Sequence, residues 1–127
     1  MDDGFTELEH TVFGEIGVDH PDIAAALAAF VETAKVTKRD NTGHGFYTHF
    51  DVDRSQPPLS APSKIVHGPN LDVQVRDEVL EMGFILWLDE ALYPQFLEAF
   101  QYATKGGGNI DLQAENLDVL ASQGRMI

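Results

Sequence analysis

The sequence predicts an α+β domain: one or two N-terminal helices packed on an antiparallel sheet of about five strands. Two patterns carry this. Apolar residues up to Ala34 recur at helical spacing, and from Val36 onward the period drops to two. Size agrees: 127 residues, 43 % of them hydrophobic, suit one domain (1–127) with one core.

The first helix is read from Phe5, Leu8, Val12, Phe13 and Ile16, which fall on one helical face. Thr6 and Glu9 have capping-box spacing. Gly14 and Gly17 are expected to end or fray it. In the second helix Pro21 suits a first-turn position, with Asp19 or His20 as nearby acceptor. Ile23, Leu27, Phe30, Val31 and Ala34 form its apolar stripe, and the alanines between 24 and 29 favour helix.

Strands are predicted at 36–40, 46–52, 71–76, 83–89 and 96–102. Asn41-Thr42-Gly43-His44-Gly45 reads as a turn, because glycine supplies positive φ. After it Phe46, Thr48, Phe50 and Val52 alternate with Tyr47, His49 and Asp51. Gln56–Pro69 holds four of the six prolines and reads as an ordered loop. Leu71, Val73 and Val75 share one strand face. Phe84–Leu88 is apolar on both faces, as expected of a central strand covered on both sides or by a partner. Tyr93–Thr104 fits a helix, with Pro94 at its first turn, and equally a strand through Phe96, Glu98, Phe100 and Tyr102. Beyond Gly106–Gly108, Leu117, Leu120 and Ala121 suggest a short C-terminal helix, or a loosely docked tail over 106–127. Sequential hairpins are the simplest connection of the strands.

There is no Cys, which removes disulfides, thiolate metal sites and cysteine nucleophiles. The acidic start Met1-Asp2-Asp3-Gly4 is unlike a signal peptide, and no apolar run approaches the ~18 residues of a membrane span. The expectation is a cytoplasmic protein. Its formal charge is −13, from 21 acids against eight Lys and Arg. Nucleic acid and anionic membranes would be repelled. Lys35, Lys38 and Arg39 are the one basic cluster. Acidity of this kind serves solubility or a salt-adapted host, or it captures a basic protein.

Motifs for chemistry are sparse. His10, His20, His44, His49 and His67 form no metal-ligand pair at helical spacing. Asp51-Val52-Asp53 places two carboxylates on one side of a strand end, where they suit a hard cation or simply solvent. The glycines at 43–45 and 106–108 match no phosphate-binding loop, and no serine lies in a nucleophile motif. Glu81, Asp89, Glu90 and Glu98 are free to converge, but 21 acids produce pairs by chance. No catalytic residue, metal or cofactor is implied.

Two features point to binding. Tyr47, His49 and Asp51 share the strand face opposite Phe46 and Phe50, and Tyr, His and carboxylate are common material of interfaces. Trp87 lies in the core if its sheet is covered twice. With one face covered, Trp87 and Ile85 form an exposed patch that favours a partner or a homodimer.

The segment Arg39-Asp40-Asn41-Thr42-Gly43-His44-Gly45-Phe46-Tyr47-Thr48 resembles the R-x-N-T-G-x-G-F-[FY]-T stretch of a family of small uncharacterised bacterial proteins. Gly83-Phe84-Ile85-Leu86-Trp87-Leu88, followed by Leu97-Glu98-Ala99-Phe100-Gln101-Tyr102, is similar to a second block of that family, with Ala99 and Ala103 where it has glycine. The resemblance spans about 20–104. It implies a strand at 96–102 and no catalytic residue.

Two function classes follow. One is a non-enzymatic, immunity- or inhibitor-like acidic protein that binds a basic protein. The other is a small-molecule or divalent-metal-dependent enzyme using His44, His49, Asp51 or nearby acids.

Overall fold

The computed structural model describes residues 4–41, 45–75, 78–101 and 117–122. Helix α1 spans Glu7–Asp19 and α2 spans Ala24–Thr33. The capping box is present: the Thr6 hydroxyl accepts from Glu9 N at 3.1 Å, and Glu9 Oε1 accepts from Thr6 N at 2.8 Å. Contrary to expectation, Gly14 and Gly17 lie inside α1. Each glycine lowers helix propensity by about 1 kcal/mol. Burial of Leu8, Val12, Phe13 and Ile16 along one face outweighs that local loss. Pro21 belongs to the turn before α2, whose N-cap is Ile23.

Six strands follow: β1 (Lys35–Asn41), β2 (Gly45–Asp51), β3 (Ile65–Val75), β4 (Glu78–Leu88), β5 (Pro94–Gln101) and β6 (Leu117–Ser122). They form one antiparallel sheet in the order β1-β2-β5-β4-β3-β6. The α+β class and the five predicted strands hold; three details change. Leu117–Ser122 is a strand on β3, not a helix. The 94–101 segment, which fits two periods in sequence, is a strand, with Leu97 and Ala99 buried between its neighbours. The sheet is not a run of sequential hairpins, because β2 pairs with β5. Gly106–Gly108, the turn residues 42–44 and Tyr102 lie outside the described residues.

The proline-rich stretch is also shorter than expected, since β3 begins at Ile65. Pro69 fits inside it because it falls at the register shift between His67 and Asn70. A Cβ on neighbouring Gly68 would lie 2.9 Å from the Phe84 carbonyl oxygen, so the bulge approaches β4 as only glycine permits. Ahead of β3 the chain is tied down by Leu59, which is buried and donates to the Leu92 carbonyl at 3.0 Å. Tyr93 adds a bond from its hydroxyl to the Gln56 carbonyl at 2.8 Å.

Both helices cover one side of the sheet. Phe46, Phe50, Val66, Leu71, Val73, Phe84, Leu86 and Leu97 point there and share a core with Leu8, Val12, Ile16, Leu27 and Phe30. Strand residues alternate between faces, so the intervening side chains occupy the opposite side. Among the described residues no helix covers that side. No described helix is long and apolar enough to cross a membrane.

Candidate functional site

Register builds the face turned away from the two helices into cross-strand rows. The first runs Lys38–His49–Phe96–Trp87–Ile65, over β1, β2, β5, β4 and β3. The next runs Asp40–Tyr47–Glu98–Ile85–His67 over the same strands. A third runs Gly45–Phe100–Gly83–Asn70. Opposed side chains on one face lie close enough to interact, so each row is a contact line.

The centre is aromatic. Trp87 and Phe96 stack with ring centroids 5.8 Å apart and planes at 19°. Phe96 also meets the His49 ring at 5.2 Å and the Tyr47 ring, edge-on, at 5.7 Å. All four are half-buried, and Ile65 at the end of the row is 37 % exposed.

Glu98 lies in the middle. Its Oε1 accepts from the Trp87 indole N–H at 2.9 Å and its Oε2 from the Tyr47 hydroxyl at 3.4 Å. The negative charge of Glu98 pushes the Tyr47 phenol above its ordinary pKa; burial and the hydrogen bond to Glu98 act in the same direction. No described Lys or Arg pairs with Glu98. Lys38, at the end of the first row, pairs with Asp40 at 3.5 Å, and His49 Nε2 lies 3.3 Å from the same carboxylate.

Of the residues singled out in sequence, Tyr47, His49 and Trp87 meet here. Asp51 does not: it is exposed at the end of β2, opposite Lys35. Asp53 is committed to its own turn, where the Ser55 hydroxyl donates at 2.6 Å and Ser55 N at 2.9 Å, holding the carboxyl below its ordinary pKa. His44 lies outside the described residues. Of the four acids considered for convergence, Glu98 lies between Trp87 and Tyr47, Glu81 pairs in register with Asp72, Asp89 caps the β4–β5 turn and binds Arg54, and Glu90 is exposed in that turn. No group of three or more His, Asp or Glu positioned for a metal occurs among the described residues.

Sequence reasoning names Phe96 and Glu98 as strand positions, and Glu98 among the acids, but does not join them to Tyr47, His49 and Trp87. Their signal was present, since both alternate with Leu97 and Ala99, but it becomes legible only once 94–101 is known to be a strand.

Arg39, counted in sequence with the basic cluster, has an internal role. Its Nη1 donates to Glu9 Oε2 at 2.6 Å and its Nη2 to Glu9 Oε1 at 2.8 Å. Nη1 also donates to Thr48 Oγ1 at 3.1 Å, and the Thr48 hydroxyl donates to Glu9. Nη2 donates to the Gly4 carbonyl as well. Glu9 and Thr48 are fully buried. A buried carboxylate needs such a partner set. Gly45 is equally structural: a Cβ there would lie 1.9 Å from the Ala99 carbonyl oxygen. Arg39, Gly45, Phe46 and Thr48 of the Arg39–Thr48 segment thus serve folding, while the side chains of Tyr47 and Asp40 face the side away from the helices.

Two clefts lie on the helical side. One, of about 560 Å³, runs between α1 and α2 past Gly14, Val18, Ala28 and Val31. The other, of about 490 Å³, lies between the α1–α2 turn and the proline-rich loop. There His20 Nε2 hydrogen-bonds the His67 carbonyl at 2.8 Å.

No family model matches the chain, and no curated protein or solved structure is significantly similar to it.

Proposed function

We propose that the protein is a non-enzymatic binding protein that docks a basic protein on its open sheet face. The observation that carries this reading is Glu98, a carboxylate ringed by Trp87, Tyr47 and Phe96 with no described cation paired to it. Aromatic side chains around a polar centre are the composition of interface hot spots. The formal charge of −13 supports the choice of a basic partner, since an acidic surface speeds its capture by steering.

The enzyme reading has less support. His49 is turned to Asp40, and Asp51 and Asp53 do not join it in a ligand set.

The test is capture from host lysate by the wild type and by a face variant, Phe96→Ser with His49→Ser, at low and at high salt. A basic protein held by the wild type at low salt, released at high salt and not held by the variant supports the reading. Equal capture by both proteins contradicts it.

A further inference from the structure

We infer that the anchor this face accepts is an arginine side chain of the partner, its guanidinium forked onto Glu98 and laid against the Trp87–Phe96 stack. This deepens the proposed function and rests on it.

The argument starts from lone pairs. A carboxylate offers about four acceptor positions, two on each oxygen. Trp87 takes one on Oε1 and Tyr47 takes one on Oε2. Each oxygen keeps one. A planar guanidinium carries several N–H donors in one fork and meets both oxygens of a carboxylate, which a lysine ammonium, a single point donor, does not. The two donors also hold Glu98 in place, so little side-chain entropy remains to be lost when the cation arrives.

The surroundings favour the same group. The near-parallel, half-buried Trp87 and Phe96 rings stand beside the carboxylate. Guanidinium stacks on aromatic faces and is weakly hydrated, whereas ammonium holds its water. Asp40, in the same row beyond Tyr47, adds negative charge; its described cation, Lys38, is exposed and tied to it rather than to Glu98. The face therefore has a carboxylate acceptor, aromatic neighbours and added negative charge within two adjacent rows, and no described Lys or Arg is paired with Glu98.

Trp87 is the single tryptophan, so its fluorescence reports on this site alone. The test is titration of the full chain at low salt with nona-arginine and with nona-lysine, equal in charge, followed by Trp87 emission and by a method blind to it, such as calorimetry. The expected result is that nona-arginine perturbs Trp87 and binds about tenfold tighter than nona-lysine. Glu98→Gln should remove that preference, since the amide keeps an acceptor for Trp87 but loses the charge and one acceptor oxygen. If both peptides bind equally and leave Trp87 unchanged, the arginine anchor is wrong while a cation-capturing surface stands. If neither binds, the acidic docking reading fails with it. The comparison of peptides uses the wild type, so it decides the matter even if the variant does not fold.

Discussion

The Trp87 indole nitrogen donates to the Glu98 carboxylate at 2.9 Å across the β4–β5 pair, although the residue directly opposite Glu98 is Ile85. This diagonal bond spans the two rows of the open face. It fixes the tryptophan ring against Phe96 and sets the carboxylate between Trp87 and Tyr47. A half-buried charge held by two neutral donors is an arrangement with measurable consequences.

The first concerns Tyr47. Because the Glu98 charge, burial and their hydrogen bond all raise its pKa above 10.0, one of the three tyrosines should titrate above the usual range. The stability this gives is fully present below the unfolded-state value. It is lost as pH rises through the folded-state value, where the folded phenol finally ionises. Ultraviolet titration of Glu98→Gln should return that phenol toward the others. An unchanged titration would mean the charge of Glu98 does not act on Tyr47.

Arg39→Ala should be among the most damaging single changes. It leaves the fully buried Glu9 carboxylate without its cation, a loss of about 3–5 kcal/mol in denaturant unfolding. Arg39→Lys, which keeps the charge but not the fork, should lose less. Near-wild-type stability for Arg39→Ala would show that the pair is dispensable.

Gly45→Ala tests how closely β2 and β5 approach. A Cβ 1.9 Å from the Ala99 carbonyl oxygen forces backbone apart, because no flexible side chain can yield there. Destabilisation of about 2 kcal/mol or more is expected by thermal unfolding. The same change at Gly14, where a Cβ meets nothing within 4 Å, should instead stabilise α1 by up to about 1 kcal/mol.

Asp89 gives a pH prediction of opposite sign to Tyr47. Burial pushes its carboxyl up, but bonds from Arg54, Tyr93 N and Ala91 N together outweigh burial, so its pKa lies below the ordinary value. Its contribution is present above the unfolded-state value and lost as pH falls through the lower folded-state value. Asp89→Ala should therefore cost about 1–2 kcal/mol near neutral pH, and less of its effect should remain in strong acid. A difference between the two proteins that stays constant with pH would contradict this.

The legible parts of the fold were local. The Thr6–Glu9 capping box, the α2 stripe and the alternation from Phe46 depend on neighbours a few residues away, and all three are present, the last as far as Asp51. The 94–101 segment satisfied both periods, and only burial between β2 and β4 decides for a strand. Leu117–Ser122 was misread because its conformation comes from pairing with β3, more than forty residues earlier. Glu9 reads as a cap and Arg39 as part of a basic cluster; their union depends on where β1 meets α1, a tertiary fact. At the candidate site, Tyr47 and His49 were visible as a strand face. Their neighbours Phe96 and Glu98 appear only with the β2–β5 register, which the expectation of sequential hairpins hid.

The central claim is that the open face is where a basic partner docks, and acrylamide quenching of Trp87 tests it most directly. Trp87 is half-buried on that face, so in the free protein it should be quenched readily. Adding the basic protein captured at low salt should shield it, and raising the salt should restore quenching, as charges beyond about 8 Å are screened at physiological ionic strength. A captured partner that leaves Trp87 as quenchable as before would place docking elsewhere and contradict the account.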